Sequence, residues 1–124
     1  MNIYFVILFM IFCHIFDDYT LQGWLASAKQ KEYWEKNAPQ PLYKYDYIMA
    51  LIMHSLSWSF MIMLPIAIYY SFNIGLNFYI IFVINTIYHA VVDDQKANRK
   101  TINLWTDQLI HIVQIALTAA CLLK

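Results

Sequence analysis

Ile74 to Lys96 reads IGLNFYIIFVINTIYHAVVDDQK. It is a long apolar run that meets a histidine, His89, and an aspartate, Asp93, near its end. Residues four apart lie on the same side of a helix, so this segment carries an imidazole and a carboxylate on one face. Two other apolar segments repeat the device. One ends in His14 and Asp18, and the other begins with Asp107 and His111. The third pair has the reverse order, as required if its helix runs the opposite way. In each pair the histidine lies deeper in the apolar run and the aspartate shallower.

The composition sets the environment. Of 124 residues, 61% are hydrophobic and 13% charged, against about 25% charged in soluble domains. This is a membrane composition, and the length allows one domain over residues 1–124. A formal net charge of zero gives no electrostatic footprint for nucleic acid. Glycine and proline are too scarce for a linker.

Four apolar segments are expected to form spanning helices: about 3–19, 47–70, 74–93 and 102–123. The first is short for a span of about 20 residues and is expected to continue through Asp17, Asp18 and Tyr19. It lacks a basic leader and a small-residue cleavage signature, so it is read as a retained anchor. Pro65 is expected to kink the second. Lys29, Lys31, Lys36 and Lys44 fall between segments one and two. Lys96, Arg99 and Lys100 fall between three and four, and the Ser71–Asn73 connection carries no charge. Cationic loops stay in the cytoplasm, which predicts a multi-pass protein of the cytoplasmic membrane with both termini outside. Cys13 and Cys121 then lie at opposite faces and cannot bridge. Both are read as ordinary lipid-phase residues.

Between segments one and two, residues about 21–36 mix Trp24, Leu25, Tyr33 and Trp34 with Lys and Glu. This predicts an amphipathic helix at the interface, anchoring the chain or, alternatively, closing over a substrate. Asn37 to Pro41 breaks it. Tyr43, Tyr45 and Tyr47 form an aromatic belt.

On this topology His54 joins the three pairs, so that all four histidines converge on the cytoplasmic half. An ionisable side chain at mid-bilayer costs about 2.5–3.5 kcal/mol on insertion scales, so these groups should face inward and satisfy one another. Imidazole and carboxylate are ligands of zinc, and also suit manganese and iron. His14, His89, Asp93, Asp107 and His111 are the candidate metal ligands. Asp18 and His54 are candidates for acid–base catalysis or for ligation of a second ion. One or two divalent ions fit this donor set. A metal-free hydrogen-bond network, or a proton relay of Asp and His, is the alternative. Asp17, Asp46 and Asp94 are read as solvated loop charges. Asn85, Gln114 and Thr118 are read as interhelical hydrogen bonders, and Lys96 as part of the cytoplasmic positive charge, with binding of an anionic headgroup or substrate as the alternative.

The runs His14-Ile-Phe-Asp-Asp18-Tyr-Thr-Leu21-Gln22, His89-Ala-Val-Val-Asp93-Asp-Gln-Lys96 and Asp107-Gln108-Leu-Ile-His111, with His54 between the first two, resemble the small membrane-protein family called domain of unknown function 3307, of bacteria and their phages. The resemblance covers most of the chain. An extra acidic residue beside each of Asp18 and Asp93 departs from the family pattern and leaves open which of each pair faces inward. The resemblance implies a helical membrane protein and no particular activity.

The residues therefore point to an all-α, four-helix transmembrane bundle with a metal site near the cytoplasmic face. A metal-dependent hydrolase acting on an amphiphilic or phosphoester substrate is the leading expectation, and the lipid bilayer its first partner. The rivals are a metal or proton transporter, and a non-enzymatic protein that binds a host membrane protein or another copy of itself.

Overall fold

The computed structural model describes residues 1–124 and contains six α-helices and no strands. They are α1 (Ile3–Phe16), α2 (Leu25–Ala28), α3 (Lys31–Asn37), α4 (Asp46–Tyr69), α5 (Leu76–Ala97) and α6 (Leu104–Leu122). The side-chain oxygen of Asn2 accepts from the Phe5 amide and that of Asn103 from the Thr106 amide. Each satisfies a backbone donor that a helix start would otherwise leave free. Helix α4 runs unbroken through Pro65, although the ring removes one bond from the ladder.

Helix α1 packs against α4, α4 against α5, α5 against α6, and α6 back against α1. The four long helices thus form a closed ring whose neighbours alternate in direction. Its apolar core joins Val6 and Met10 of α1, Trp58, Ile62, Met63 and Ile66 of α4, and Ile115 and Ala119 of α6. Outside, the usual polarity is reversed. Phe5, Leu8 and Phe12 of α1, Val83, Ile84 and Ile87 of α5, and Leu109, Val113 and Leu117 of α6 are exposed, while all four histidines are buried. Apolar faces of this extent suit a lipid environment.

Three segments are long and apolar enough to cross a membrane: Ile3–Leu21, Pro41–Tyr69 and Leu76–Ala97. Helix α6 is not among them. Asp107, Gln108, His111 and Gln114 dilute its apolar run, and all but Gln108 are buried in the ring.

Three expectations need correction. The interfacial helix predicted over 21–36 is two short helices. Gly23 adopts φ +50°, a region that glycine enters readily, and Gln30 is extended, which breaks the rod before α3. Asp17 is not a solvated loop charge. Residues Asp17–Leu21 continue α1 as one π-helical turn, and Asp17, four residues past the buried Cys13 and seven past Met10, shares their inner face and is fully buried. Cys13 is not lipid-facing. It shares the inner face of α1 with Met10 and is buried, whereas Cys121 is exposed.

The two charged loops are latched together. The Asn98 side chain donates to the Lys29 carbonyl (3.0 Å) and accepts from the Lys31 amide (2.7 Å). Lys100 pairs with Glu32 at 2.6 Å, which holds the Glu32 carboxyl below its ordinary range. A lowered folded-state pKa means this clasp acts above the unfolded carboxyl pKa of about 4.3 and fades as pH falls. Around the latch, Trp24, Tyr33, Trp34 and Tyr43 pack edge-on or stacked.

Removal of both latch bonds by Asn98→Ala is expected to weaken loop docking by about 1–3 kcal/mol. The readout is faster trypsin cleavage at Lys29, Lys31 and Lys36 in detergent-solubilised protein, with cleavage elsewhere unchanged.

Candidate metal centre

Each long helix delivers its ionisable residues at the same end of the ring. Helices α1 and α5 carry them near their C-termini and α4 and α6 in their N-terminal halves, so alternating direction brings all of them to one level. His54, His89, Asp93, Asp107 and His111 are buried, and Asp18 is 10% exposed.

Asp93 is the centre of the group. Its Oδ2 lies 3.3 Å from His54 Nε2, and its Oδ1 lies 3.4 Å from His111 Nε2 and 3.6 Å from His89 Nε2. His54 Nε2 is 3.2 Å from His89 Nε2 and 3.5 Å from Asp18 Oδ1. His111 Nε2 is 3.3 Å from Asp107 Oδ1. Three imidazoles from three helices therefore aim the same ring atom at one carboxylate-lined point.

These spacings are long for hydrogen bonds to charged groups, which run at about 2.7–2.9 Å. His111 Nε2, Asp18 Oδ1 and Asp107 Oδ1 find no hydrogen-bond partner although buried. An unmet buried polar atom costs about 1–3 kcal/mol, so each of the three calls for a partner. Ligands at about 2.0–2.1 Å from a tetrahedral zinc stand about 3.3–3.4 Å apart, close to the separations here. Two triads meet the requirement: Asp18, His54 and His89, and His89, Asp93 and His111. They share His89, and one ring nitrogen serves one ion. These residues would therefore hold a single ion, or two ions of which only one takes His89.

His14 is oriented differently. Trp58 Nε1–H donates to His14 Nδ1 at 2.8 Å, and His14 Nε2 lies 3.0 Å from Gln108 Oε1. Because Nδ1 accepts, Nε2 carries the proton and donates to Gln108. Both nitrogens are thus engaged, and His14 stands beside the point where the other three converge. Its Nδ1 is 3.5 Å from Asp18 Oδ2.

Six further residues join the site beyond the seven candidates read from sequence. Trp58 forms its floor, stacked on His89 with ring centroids 4.1 Å apart and 5.3 Å from His111. It lies four residues past His54, hence on the same face, and that spacing was the available signal. Gln108 links Asp107 Oδ2 (3.0 Å) and Asp18 Oδ2 (3.4 Å) to His14. Ser57 Oγ donates to Asp17 at 2.6 Å, and Asp17 in turn stands 3.7 Å from His54 Nδ1. Carboxylates on the outer nitrogen commonly orient a ligating imidazole. Lys29, at the end of α2, reaches in to Asp93 Oδ2 at 2.6 Å and is only 12% exposed. Lys96 pairs with Asp107 at 3.0 Å, so its charge acts on the cluster as well as on loop placement.

One turn deeper, Asn85, Gln114 and Thr118 bond across α5 and α6, as their sequence positions predicted. Asn85 Nδ2 donates to Thr118 Oγ1 at 2.9 Å, and Gln114 Nε2 donates to Asn85 Oδ1 at 2.9 Å. The cleft of about 330 Å³ at the far end of the ring is lined by Tyr70, Asn73, Asn77 and Lys124, and none of the cluster reaches it.

Comparison of the chain with protein-family models, with curated proteins and with solved structures yields no match.

Trp58 both supports His89 and orients His14, so truncation should be severe. Trp58→Ala is expected to destabilise the protein by about 3–5 kcal/mol. Trp58→Phe keeps most of the packing and loses chiefly the bond to His14, about 1 kcal/mol. Denaturant unfolding in detergent micelles separates the two, and equal stability of Trp58→Ala and the parent would refute the assignment of the floor.

Proposed function

We propose that this chain is a single-domain, four-helix integral membrane protein of the cytoplasmic membrane that binds a divalent metal ion, zinc above manganese or iron, and hydrolyses an amphiphilic or phosphoester substrate. The observation that carries the reading is the convergence of His54, His89 and His111 Nε2 on Asp93, with Asp18 Oδ1 and Asp107 Oδ1 buried beside it without a hydrogen-bond partner. Further support comes from the apolar outer faces and from basic loops at the cluster's end of the ring, which favour the cytoplasmic side. The motifs shared with the domain of unknown function 3307 family are consistent with this and name no reaction.

On this reading His54, His89, His111 and Asp93 hold the ion, with Asp18 or Asp107 completing its shell. The ion would polarise a substrate oxygen and acidify a water. The chain's own residues supply the rest. The carboxylate of Asp18 or Asp107 left out of the shell accepts a proton as general base. Asp17 and Ser57 orient His54, Trp58 and Gln108 orient His14, and the cap that α2, Lys29 and α3 form over the loop end of the ring limits water. A substrate at this depth has its reacting group near the headgroup level, which favours an amphiphile.

Metal or proton transfer is the second reading. The polar ladder Asp107, His111, Gln114 and Thr118 along α6 favours it, but the apolar core of Ile62, Met63, Ile66 and Ile115 lies across the remaining depth. Liposome flux lost in His89→Ala would support it over hydrolysis.

Elemental analysis tests the first reading. Protein purified in detergent is expected to carry one or two equivalents of a divalent metal. A His54→Ala, His89→Ala, His111→Ala triple variant is expected to carry less than about a tenth of an equivalent. Metal-free parent protein that also fails to take up added zinc would exclude the proposal.

A further inference from the structure

Two lysines approach the cluster, and they frame a question that metal binding alone does not answer. Lys29 Nζ sits on Asp93 Oδ2 at 2.6 Å, and Lys96 Nζ on Asp107 Oδ2 at 3.0 Å. Lys29 comes from the cap and is held there by the Asn98 latch on its own carbonyl. Lys96 lies three residues beyond Asp93, one turn nearer the loops on α5. Both ammoniums thus lie at the loop end of the cluster, each bound to a carboxylate that also faces an imidazole.

An ammonium beside a divalent cation repels it strongly where water is excluded. A site built only to hold metal gains nothing from a nearly buried lysine on its central carboxylate. The conflict disappears if an anion lies between the ion and the ammoniums. Charge balance agrees with this partner when two ions are bound. With neutral histidines, Asp17, Asp18, Asp93 and Asp107 carry four negative charges, and Lys29 and Lys96 return two positive ones. The remainder is neutralised by one divalent ion. A second ion leaves an excess of two positive charges, which a phosphate monoester dianion matches. A neutral ester or amide would leave that excess buried, at high cost. Lysine is also a common point-charge binder of phosphate.

We infer that Lys29 and Lys96 form an anion-recognition pair at the loop end of the metal centre, and that the group the site receives is a phosphoryl monoester. This rests on the metal-centre reading above. It adds the substrate class and makes Lys29 a specificity-determining residue. Lipid headgroups and soluble phosphates share this chemistry, and the test separates them.

Zinc-loaded protein in uncharged detergent is titrated with inorganic phosphate and with short-chain phosphatidate, while bound metal is counted by elemental analysis. Phosphate is expected to bind the parent and to raise zinc from one equivalent towards two. Lys29→Gln is expected to bind phosphate about tenfold or more weakly yet keep its first zinc. Lys29→Arg retains the charge and should bind within a few-fold of the parent. Lys96→Gln should lose less, because the Lys96 side chain is more exposed than that of Lys29 (37% against 12%). Phosphatidate binding much tighter than phosphate assigns the source to lipid, and equal binding assigns it to a soluble ester. Zinc retained without phosphate binding, or phosphate binding untouched by Lys29→Gln, overturns this inference and leaves the metal centre standing. Failure to hold zinc at all removes both. Lys29→Gln protein that loses its first zinc identifies Lys29 as a structural neutraliser of Asp93, which also overturns the inference.

Discussion

Asp93 ties together groups from four parts of the chain: Lys29 at the end of α2, His54 on α4, His89 on its own helix and His111 on α6. A carboxylate buried in a ring with an apolar exterior cannot be left to water, and a charge there without partners is far more costly than the packing of a small bundle can offset. The neighbouring elements must therefore bring their polar groups to it. This one requirement aligns three helices in depth and draws the cap down onto their end. The apolar contacts of the core permit many rotations of each helix. The need to satisfy Asp93 and its neighbours permits few.

The floor and the walls of the site follow from the same demand. Trp58 separates the ionisable layer from Met10, Ile62 and Met63 below it. Its indole ring stacks on His89 while its N–H holds His14, so one side chain provides packing and hydrogen bonding together. On the α1 side, the π-helical turn at Asp17–Leu21 offers two adjacent carboxylates to the interior, where an α-helical turn would separate them further around the axis. Asp17 and Asp18 thereby approach the two nitrogens of His54. Irregular helix of this kind is frequent at functional sites, and here its consequence is visible in which atoms it brings near His54.

The cap gives the site its chemical character. Without Lys29, the cluster would be a set of acids and imidazoles suited to any divalent cation. With it, an ammonium stands at the central carboxylate, fixed through Asn98 to the loop between α5 and α6. Lys29 of the first basic loop and Lys96 near the end of α5 thus both reach buried acids.

Spacing and composition determined a good part of this protein before any coordinates. Apolar runs of membrane length, the His–Asp pairs four residues apart, and the alternation of basic and uncharged connections are local properties. Helical periodicity converts them directly into shared faces and matched depth. The helix-bonding role of Asn85, Gln114 and Thr118 was legible for the same reason. What only the tertiary structure decided was the rotation of each helix and the path of the first loop. Asp17 met Ser57 across 40 positions, His14 was engaged by a tryptophan 44 positions away in sequence, and Lys29 met Asp93 across 64. Such contacts depend on three-dimensional packing between distant segments. A helical repeat cannot encode them, because it relates a residue only to its neighbours within a turn or two.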